Sequence, residues 1–125
     1  MPPVKKPASS LRSSCPIAGS LDLLGDRWSL LVIRDLFRGL SRYSEFSGSP
    51  EGIPTNVLAE RLVRLEESGL IASEPYQQNP IRYAYTLTPK GRTLKPILAA
   101  LGLWGAKNVA GTKIPSELAA VLGNT

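Results

Sequence analysis

A helix-like segment in the middle of the chain carries side chains suited to reading a nucleic acid. Over residues 54–68, Leu58, Leu62 and Leu65 recur at helical spacing and predict a buried stripe. The opposite face is mostly polar or charged and comprises Asn56, Glu60, Val63, Arg64 and Glu67, with Thr55 at its start and Arg61 on its flank. Asn can bond adenine and Arg can bond guanine through two hydrogen bonds, so Asn56, Arg61 and Arg64 are candidates for base contacts. Thr55 and the free amides of the helix start suit a phosphate.

The same pattern also fits the solvated face of an ordinary amphipathic helix. The segment that follows favours nucleic-acid binding. Two strand-like runs, 70–77 and 81–87, are joined by Gln78, Asn79 and Pro80 and predict a two-stranded hairpin. The amides of its tip and the guanidinium of Arg82 can reach a flanking phosphate or a minor groove, although Arg82 is equally compatible with a plain surface cation.

Three helices are predicted before the helix over 54–68 and the hairpin that follows it. Residues 16–24 form the first, which Gly25 ends, and Asp26 offers a cap to the second. The second, 27–37, is apolar on all sides and belongs at the centre of the fold. Residues 41–47 predict a short third helix with Tyr43 and Phe46 turned inward, and 48–54 are too rich in Gly and Pro to be anything but a turn.

After the hairpin, Thr88 caps and Pro89 begins a long helix with an apolar side. Pro96 lies inside this helix and predicts a bend, and residues 114–122 predict a short final helix. This order of elements predicts an α+β, mainly α fold: a winged helix-turn-helix with a two-stranded β wing and a long carboxy-terminal helix. In such a fold one helix enters the major groove while another element fixes its angle.

Composition narrows the function classes. Histidine is absent and Cys15 is the only cysteine, which argues against an enzyme and a thiolate zinc site; we expect no cofactor and no metal. The net charge of +5 favours a polyanionic partner. Lys5, Lys6 and Arg12 supply three of these charges, so the remaining chain carries only +2 (5 minus 3) and charge alone does not identify the partner.

The chain divides into three predicted regions. Residues 1–14 are a flexible basic arm rich in Pro and Ser, 15–110 form the DNA-binding and dimerisation domain, and 111–125 are a carboxy-terminal segment. The sequence contains no apolar run long enough to span a bilayer and no apolar stretch typical of a secretory signal. We therefore expect a cytoplasmic protein without a membrane partner.

The ordered motifs resemble those of the HxlR-type regulators, a branch of winged-helix transcription factors related to the MarR group. The matching segments are Cys15-Pro16, 23–29 (LLGDRWS), 42–46 (RYSEF), 52–58 (GIPTNVL), 61–66 (RLVRLE), 68–71 (SGLI), 83–88 (YAYTLT), Gly91 and Trp104-Gly105. The resemblance covers about residues 15 to 105. Each piece alone is weak, and the ordered combination is specific.

The resemblance implies a homodimer that binds double-stranded DNA, with no enzymatic activity. It places the first helix and the long carboxy-terminal helix at the dimer interface, where we expect Leu94, Leu98, Leu101 and Trp104. The predicted DNA-contacting residues are Arg42, Ser44, Thr55, Asn56, Glu60, Arg61, Arg64, Asn79 and Arg82. Several family members respond to oxidants or electrophiles through a cysteine near the amino terminus, a position that Cys15 occupies, and the dipole of the first helix favours its thiolate. An inert residue at a helix start is the alternative.

Two functions of different classes fit these observations. The first is a transcriptional regulator that binds a pseudo-palindromic site as a homodimer, in which Arg64→Ala relaxes base preference and Arg82→Ala weakens the dependence on salt. The second is a protein-interaction module on the same scaffold, which Glu60 and Glu67 favour because carboxylates repel phosphate. Titration with duplex DNA distinguishes the two.

Overall fold

The computed structural model describes residues 12–123, so most of the predicted arm lies outside the described residues. Within that range the chain forms mainly helices and one antiparallel sheet, as predicted. The elements are α1 (Pro16–Leu24), α2 (Ser29–Phe37), α3 (Tyr43–Ser47), α4 (Thr55–Glu67), β1 (Ile71–Gln78), β2 (Ile81–Leu87), α5 (Pro89–Arg92), α6 (Lys95–Asn108) and α7 (Ser116–Leu122). The structure therefore confirms the mainly helical winged fold.

Helix α2 lies at the centre of the core. Its Ile33 is fully buried, and the most buried partners come from the neighbouring elements: Phe46 of α3, Leu58, Leu62 and Leu65 of α4, and Ile71 of β1. The helix starts at Ser29, two residues later than predicted, and Asp26 accepts hydrogen bonds from the amides of Trp28 and Ser29 at 2.9 and 3.0 Å. The predicted cap is thus confirmed, and it caps a shorter helix.

Helix α3 is also shorter than predicted, and one of its aromatic side chains points outward. Phe46 is buried, whereas Tyr43 is 37% exposed, so the inward placement of Tyr43 was wrong. Its hydroxyl donates a hydrogen bond to the Thr55 carbonyl at 2.6 Å. A tyrosine at the edge of the core can keep its hydroxyl hydrogen-bonded in this way. A position deeper in an apolar core offers no acceptor for the hydroxyl.

The single long helix predicted after the wing is in fact two. Thr88 caps α5 as expected, accepting a hydrogen bond from the Gly91 amide at 3.0 Å, but α5 ends at Arg92 and α6 begins at Lys95. Pro96 stands in the first turn of α6, where its missing amide costs nothing. The interruption thus precedes the proline, and the predicted bend inside one helix is wrong.

Strands β1 and β2 form the wing, with Ile71 opposite Leu87 at its base and Gln78 opposite Ile81 at its tip. A third segment joins this sheet: the Tyr85 amide donates to the Ser41 carbonyl at 2.8 Å, and Arg42 forms an isolated bridge with Ala84. The wing is therefore linked by backbone hydrogen bonds to the residues that start α3.

Candidate nucleic-acid interface

The solvent-facing side of α4 is the central feature of the candidate interface. Thr55, Asn56 and Glu60 are exposed there, and Val63 is 56% exposed. Pro54 stands at the N-cap and provides no side-chain hydrogen bond, and no side chain among residues 12–123 caps the first amides of the helix. Those amides and the positive end of the helix dipole can receive an anion such as a phosphate.

Helix α3 holds the start of α4 in place. The Tyr43 hydroxyl reaches the Thr55 carbonyl, and the Glu45 carboxylate accepts hydrogen bonds from the amides of Ser41 and Arg42 at 2.9 and 3.0 Å. These two backbone hydrogen bonds lower the pKa of Glu45. Arg42 and Ser44 are exposed, and the Arg42 guanidinium lies 4.1 Å from the centre of the Tyr76 ring on the wing.

A buried carboxylate organises the turn between α3 and α4. Asp35 is only 3% exposed and accepts hydrogen bonds from the Arg34 guanidinium at 2.8 Å and from the Ser49 hydroxyl at 2.5 Å. Arg34 also binds both oxygens of Glu51, which raises the pKa of Arg34 and lowers that of Glu51. Residues of the turn are thereby linked to the central helix by paired charges.

A second carboxylate links α4 to the start of α2. Asp26 accepts a hydrogen bond from the Arg61 Nε at 2.8 Å and from the Ser29 hydroxyl at 2.5 Å, in addition to the amides that it caps. Burial raises the pKa of Asp26, but the hydrogen bonds from Ser29, from Arg61 and from the amides outweigh it, and the pKa lies far below the ordinary 3.8. The charged form of Asp26 therefore stabilises the fold.

Asp26→Asn is expected to lower the free energy of unfolding at pH 7 by about 1–2 kcal/mol, because Asn keeps part of the cap and loses the charge. Since the folded pKa lies below the unfolded one, the carboxylate's contribution is complete above the ordinary pKa and is lost as pH falls through the folded value. Urea unfolding of both proteins, at steps from about pH 7 to pH 2.5, should show the difference shrinking in acid. A difference that is constant over this range would contradict the assignment.

Arg64 binds helix α1 and does not face outward. Its Nη2 donates hydrogen bonds to the carbonyls of Asp22 and Leu23 at 2.9 and 3.3 Å, at the carboxy-terminal end of α1, and the contact is partly buried. Cations are favoured at this end of a helix, where the carbonyls have no partner inside it. Together with the Arg61–Asp26 pair, this contact joins α4 to α1 and to the start of α2.

Arg64→Ala is now expected to act on stability and not on base preference. Removal of two hydrogen bonds from a charged donor should lower the free energy of unfolding by about 1–2 kcal/mol. DNA affinity should then change by a similar factor for every sequence tested. Urea unfolding and binding to a set of single-base variants of one site measure the two effects. A selective loss at one base pair, with unchanged stability, would restore the base-contact role.

The wing tip contributes the second exposed polar group. Asn79 and Arg82 are exposed, and within residues 12–123 the Arg82 side chain has no ion pair or hydrogen bond. Ile81, between Pro80 and Arg82, is 51% exposed. The tip therefore presents a free cation beside an apolar side chain, a combination that can contact a phosphate and a minor groove.

The predicted contact set thus falls into two groups. Arg42, Ser44, Thr55, Asn56, Glu60, Asn79 and Arg82 are exposed, whereas Arg61 and Arg64 are half-buried and bonded within the chain. Sequence reasoning missed the positioning roles of Asp35 and Tyr43, and it missed the pairing of Asp26 with Arg61. Of these, Asp35 left a signal, because a lone carboxylate in a helix that is apolar on all sides needs a partner.

The predicted dimer residues also divide by exposure. Leu94 and Leu98 are 6% and 8% exposed and pack into the core of the protomer itself, whereas Leu101 and Trp104 are 52% and 61% exposed. Other apolar side chains are exposed on the two helices that are predicted to form the dimer interface. These are Ile17 and Leu21 on α1, and Ile97 and Leu103 on α6. Cys15 is exposed at the N-cap of α1.

No cluster of three or more His, Cys, Asp or Glu residues able to hold a metal ion is found among residues 12–123. In the same range, no helix has the length and apolar character needed to cross a bilayer.

Comparison with known proteins gives this geometry a family context. The HxlR-like helix-turn-helix family matches residues 23–113. An uncharacterized HTH-type transcriptional regulator of Synechocystis sp. is 39% identical over 92 residues, which are 74% of this chain and 68% of the relative.

Two solved structures share the fold. The redox regulator HypR in its reduced form aligns with a TM-score of 0.70 and 32% identity, over 77% of this chain and 95% of HypR. The reduced transcriptional regulator YodB of Bacillus subtilis aligns with a TM-score of 0.64 and 31% identity, over 79% of this chain and 98% of YodB. The match of the family to most of the chain shows that this protein belongs to the HxlR-like helix-turn-helix family of transcriptional regulators, which are not enzymes.

Proposed function

We propose that the protein regulates transcription in the cytoplasm by binding a pseudo-palindromic DNA site as a homodimer. The observation that carries the proposal is the exposed start of α4, where Thr55 and Asn56 lie beside uncapped amides. In this arrangement α4 enters the major groove, Asn56 contacts a base edge, and the amides and Thr55 contact a phosphate. Arg42, Ser44 and the wing residues Asn79 and Arg82 contact the flanking backbone.

The homodimer is proposed from the exposed apolar side chains of α1 and α6. Ile17 is 72% exposed and Trp104 is 61% exposed, which is unusual for large apolar residues of a monomer. A second copy of the chain would cover them, and binding of both copies to one duplex requires their α4 helices to lie about 34 Å apart, one turn of DNA.

Selection of preferred duplexes from a random pool tests binding, symmetry and half-site spacing together. The proposal expects a recovered site with two inverted half-sites, and a sedimentation mass of two chains. Absence of binding to any duplex at low salt would contradict it and would favour the alternative of a protein-interaction module, for which the exposed Glu60 and Val63 are the supporting surface.

Asn56→Ala and Arg82→Ala are expected to weaken DNA binding in different ways. Loss of a two-bond contact to adenine should cost about 1–3 kcal/mol at one base pair and relax the preference there. Loss of Arg82 should weaken all sequences alike and lower the slope of log K against log salt by about 1. Fluorescence anisotropy over a range of salt concentrations separates the two effects. Identical behaviour of the two variants would contradict the assigned roles.

We also propose that Cys15 makes the protein sensitive to oxidants or electrophiles. Its exposure at the N-cap of α1 and the similarity to the redox regulator HypR support this role. DNA binding before and after mild oxidation, in the wild type and in Cys15→Ser, tests it. Unchanged binding with fully modified Cys15 would contradict it.

A further inference from the structure

A pocket of about 540 Å³ lies on the side of the wing away from its tip. Its walls come from the end of α2 and the residues that follow it, from the last residues of β2, and from α5, α6 and α7. The volume falls in the range of small-molecule sites, about 300–1,000 Å³. None of the functions proposed above uses this pocket.

The pocket has an apolar part. Leu36 and Leu87 form part of its lining and are 8% and 9% exposed, so each is nearly covered by the protein and presents only a small apolar surface. Leu40 is half-buried, and Val121 of α7 is 38% exposed. A ligand that covers these side chains removes apolar surface from water.

The pocket also has two cations that have no partner among residues 12–123. Arg92 of α5 and Lys95 of α6 both line it, and no described residue forms an ion pair or hydrogen bond with either side chain. No Asp or Glu lines the pocket within residues 12–123. Because both cations line one pocket that contains no carboxylate in this range, the pocket can receive an anion from outside.

These cations are poorly placed for DNA bound at the wing tip. Leu87, which shares the pocket with them, is six residues from Ile81 along β2, roughly 20 Å at the rise of a strand. We therefore propose that the pocket binds a small organic anion, a carboxylate on an apolar body of about the size of naphthoate. The proposal deepens the proposed function, because the ligand would be the effector of the regulator, but the binding itself does not require DNA.

The pocket adjoins residues that are connected to the proposed DNA-binding groups. Ser41 and Tyr85 line it, and the hydrogen bond from the Tyr85 amide to the Ser41 carbonyl lies between them. Ser41 precedes α3, whereas Arg92 ends α5 and Lys95 begins the proposed dimer helix α6. A bound anion would thus bridge the DNA-binding part and the α6 part of the protomer.

NMR titration of the full chain with 1-naphthoate, benzoate and the neutral 1-naphthamide tests the proposal. We expect naphthoate to shift the amide signals of residues 39–41 and 85–87, and to bind at least about tenfold more tightly than naphthamide. Arg92→Gln/Lys95→Gln should weaken naphthoate at least about tenfold. Lys107→Gln/Lys113→Gln removes two exposed charges outside the pocket and should leave binding unchanged.

Three results of the titration would overturn the inference: no shift with either acid, equal binding of naphthamide, or shifts confined to the apolar groove lined by Leu30, Leu98 and Leu118. A loss of DNA affinity in Arg92→Gln/Lys95→Gln without any acid present would also overturn it, because the cations would then contact phosphate. Naphthoate binding in the pocket by a protein that binds no duplex would leave the inference intact and would contradict only the proposed function.

Discussion

Gly91→Ala is expected to lower the free energy of unfolding by about 3 kcal/mol, the upper end of the cost of overpacking. A Cβ at this position would lie 2.1 Å from the Leu70 carbonyl oxygen. That carbonyl accepts the Thr88 amide at 3.1 Å, and the Thr88 hydroxyl donates to the Gly69 carbonyl at 2.6 Å. The start of β1 and the start of α5 are therefore held together and cannot separate to admit a methyl group without breaking these bonds.

Gly19→Ala is the matched control for this substitution. Gly19 is also in a helix, but a Cβ there meets nothing within 4 Å. It should raise stability by up to about 1 kcal/mol through helix propensity. Urea unfolding of the two variants measures both effects, and a Gly91→Ala protein within about 0.5 kcal/mol of the wild type would show that the contact yields easily.

Asp35→Ala is expected to cost about 3 kcal/mol and to weaken DNA binding. Asp35 is 3% exposed, and its removal leaves the Ser49 hydroxyl without this acceptor and Arg34 with Glu51 alone. Loss of one partner from a buried charged group costs about 3–5 kcal/mol. Since Ser49 and Glu51 belong to the turn before α4, the start of that helix should also become less well fixed. Urea unfolding and anisotropy with the selected duplex measure the two losses.

Glu117→Ala serves as the control for Asp35→Ala, because Arg38 forms an ion pair with each of these two carboxylates. The distance from Glu117 to Arg38 is 3.4 Å, but the Glu117 side chain is 69% exposed. An exposed pair of this kind contributes little, so the expected change is below about 0.5 kcal/mol. Equal losses in the two variants would show that burial does not determine the strength of these pairs.

The order of elements could be predicted from the sequence because the signals are local. Leucines at helical spacing mark α4, Asp26 caps α2, and alternation in 81–87 marks β2, and each depends on neighbours along the chain. The break between α5 and α6 carries no such signal, because Thr93 and Leu94 are compatible with a helix. Pro96 is the nearest residue that strongly disfavours a helix interior, so the bend was predicted there. Packing of Gly91 against Leu70 fixes α5 separately, which only the assembled fold shows.

The candidate site could be predicted in part. Asn56 and Thr55 are exposed as their helical positions indicate, but the same reasoning places Arg61 and Arg64 outward as well. Long arginine side chains on the flank of a helix can fold back onto neighbouring elements, and the acceptors here are a carboxylate and two carbonyls at the end of α1. Helical periodicity describes the faces of a helix and carries no information about such distant acceptors.

The hydrogen bond between Ser41 and Tyr85 makes the helix-turn-helix and the wing parts of one backbone network. Helix α4 and the hairpin are then expected to move together as a rigid body and not as separately hinged pieces. In a homodimer, such a body can lose its fit to DNA only by a change in the spacing or the relative angle of the two copies. The dimer should therefore tolerate only a narrow range of spacings between the two half-sites of its operator. Insertion of a single base pair between the half-sites should reduce binding as strongly as a mismatch within one of them.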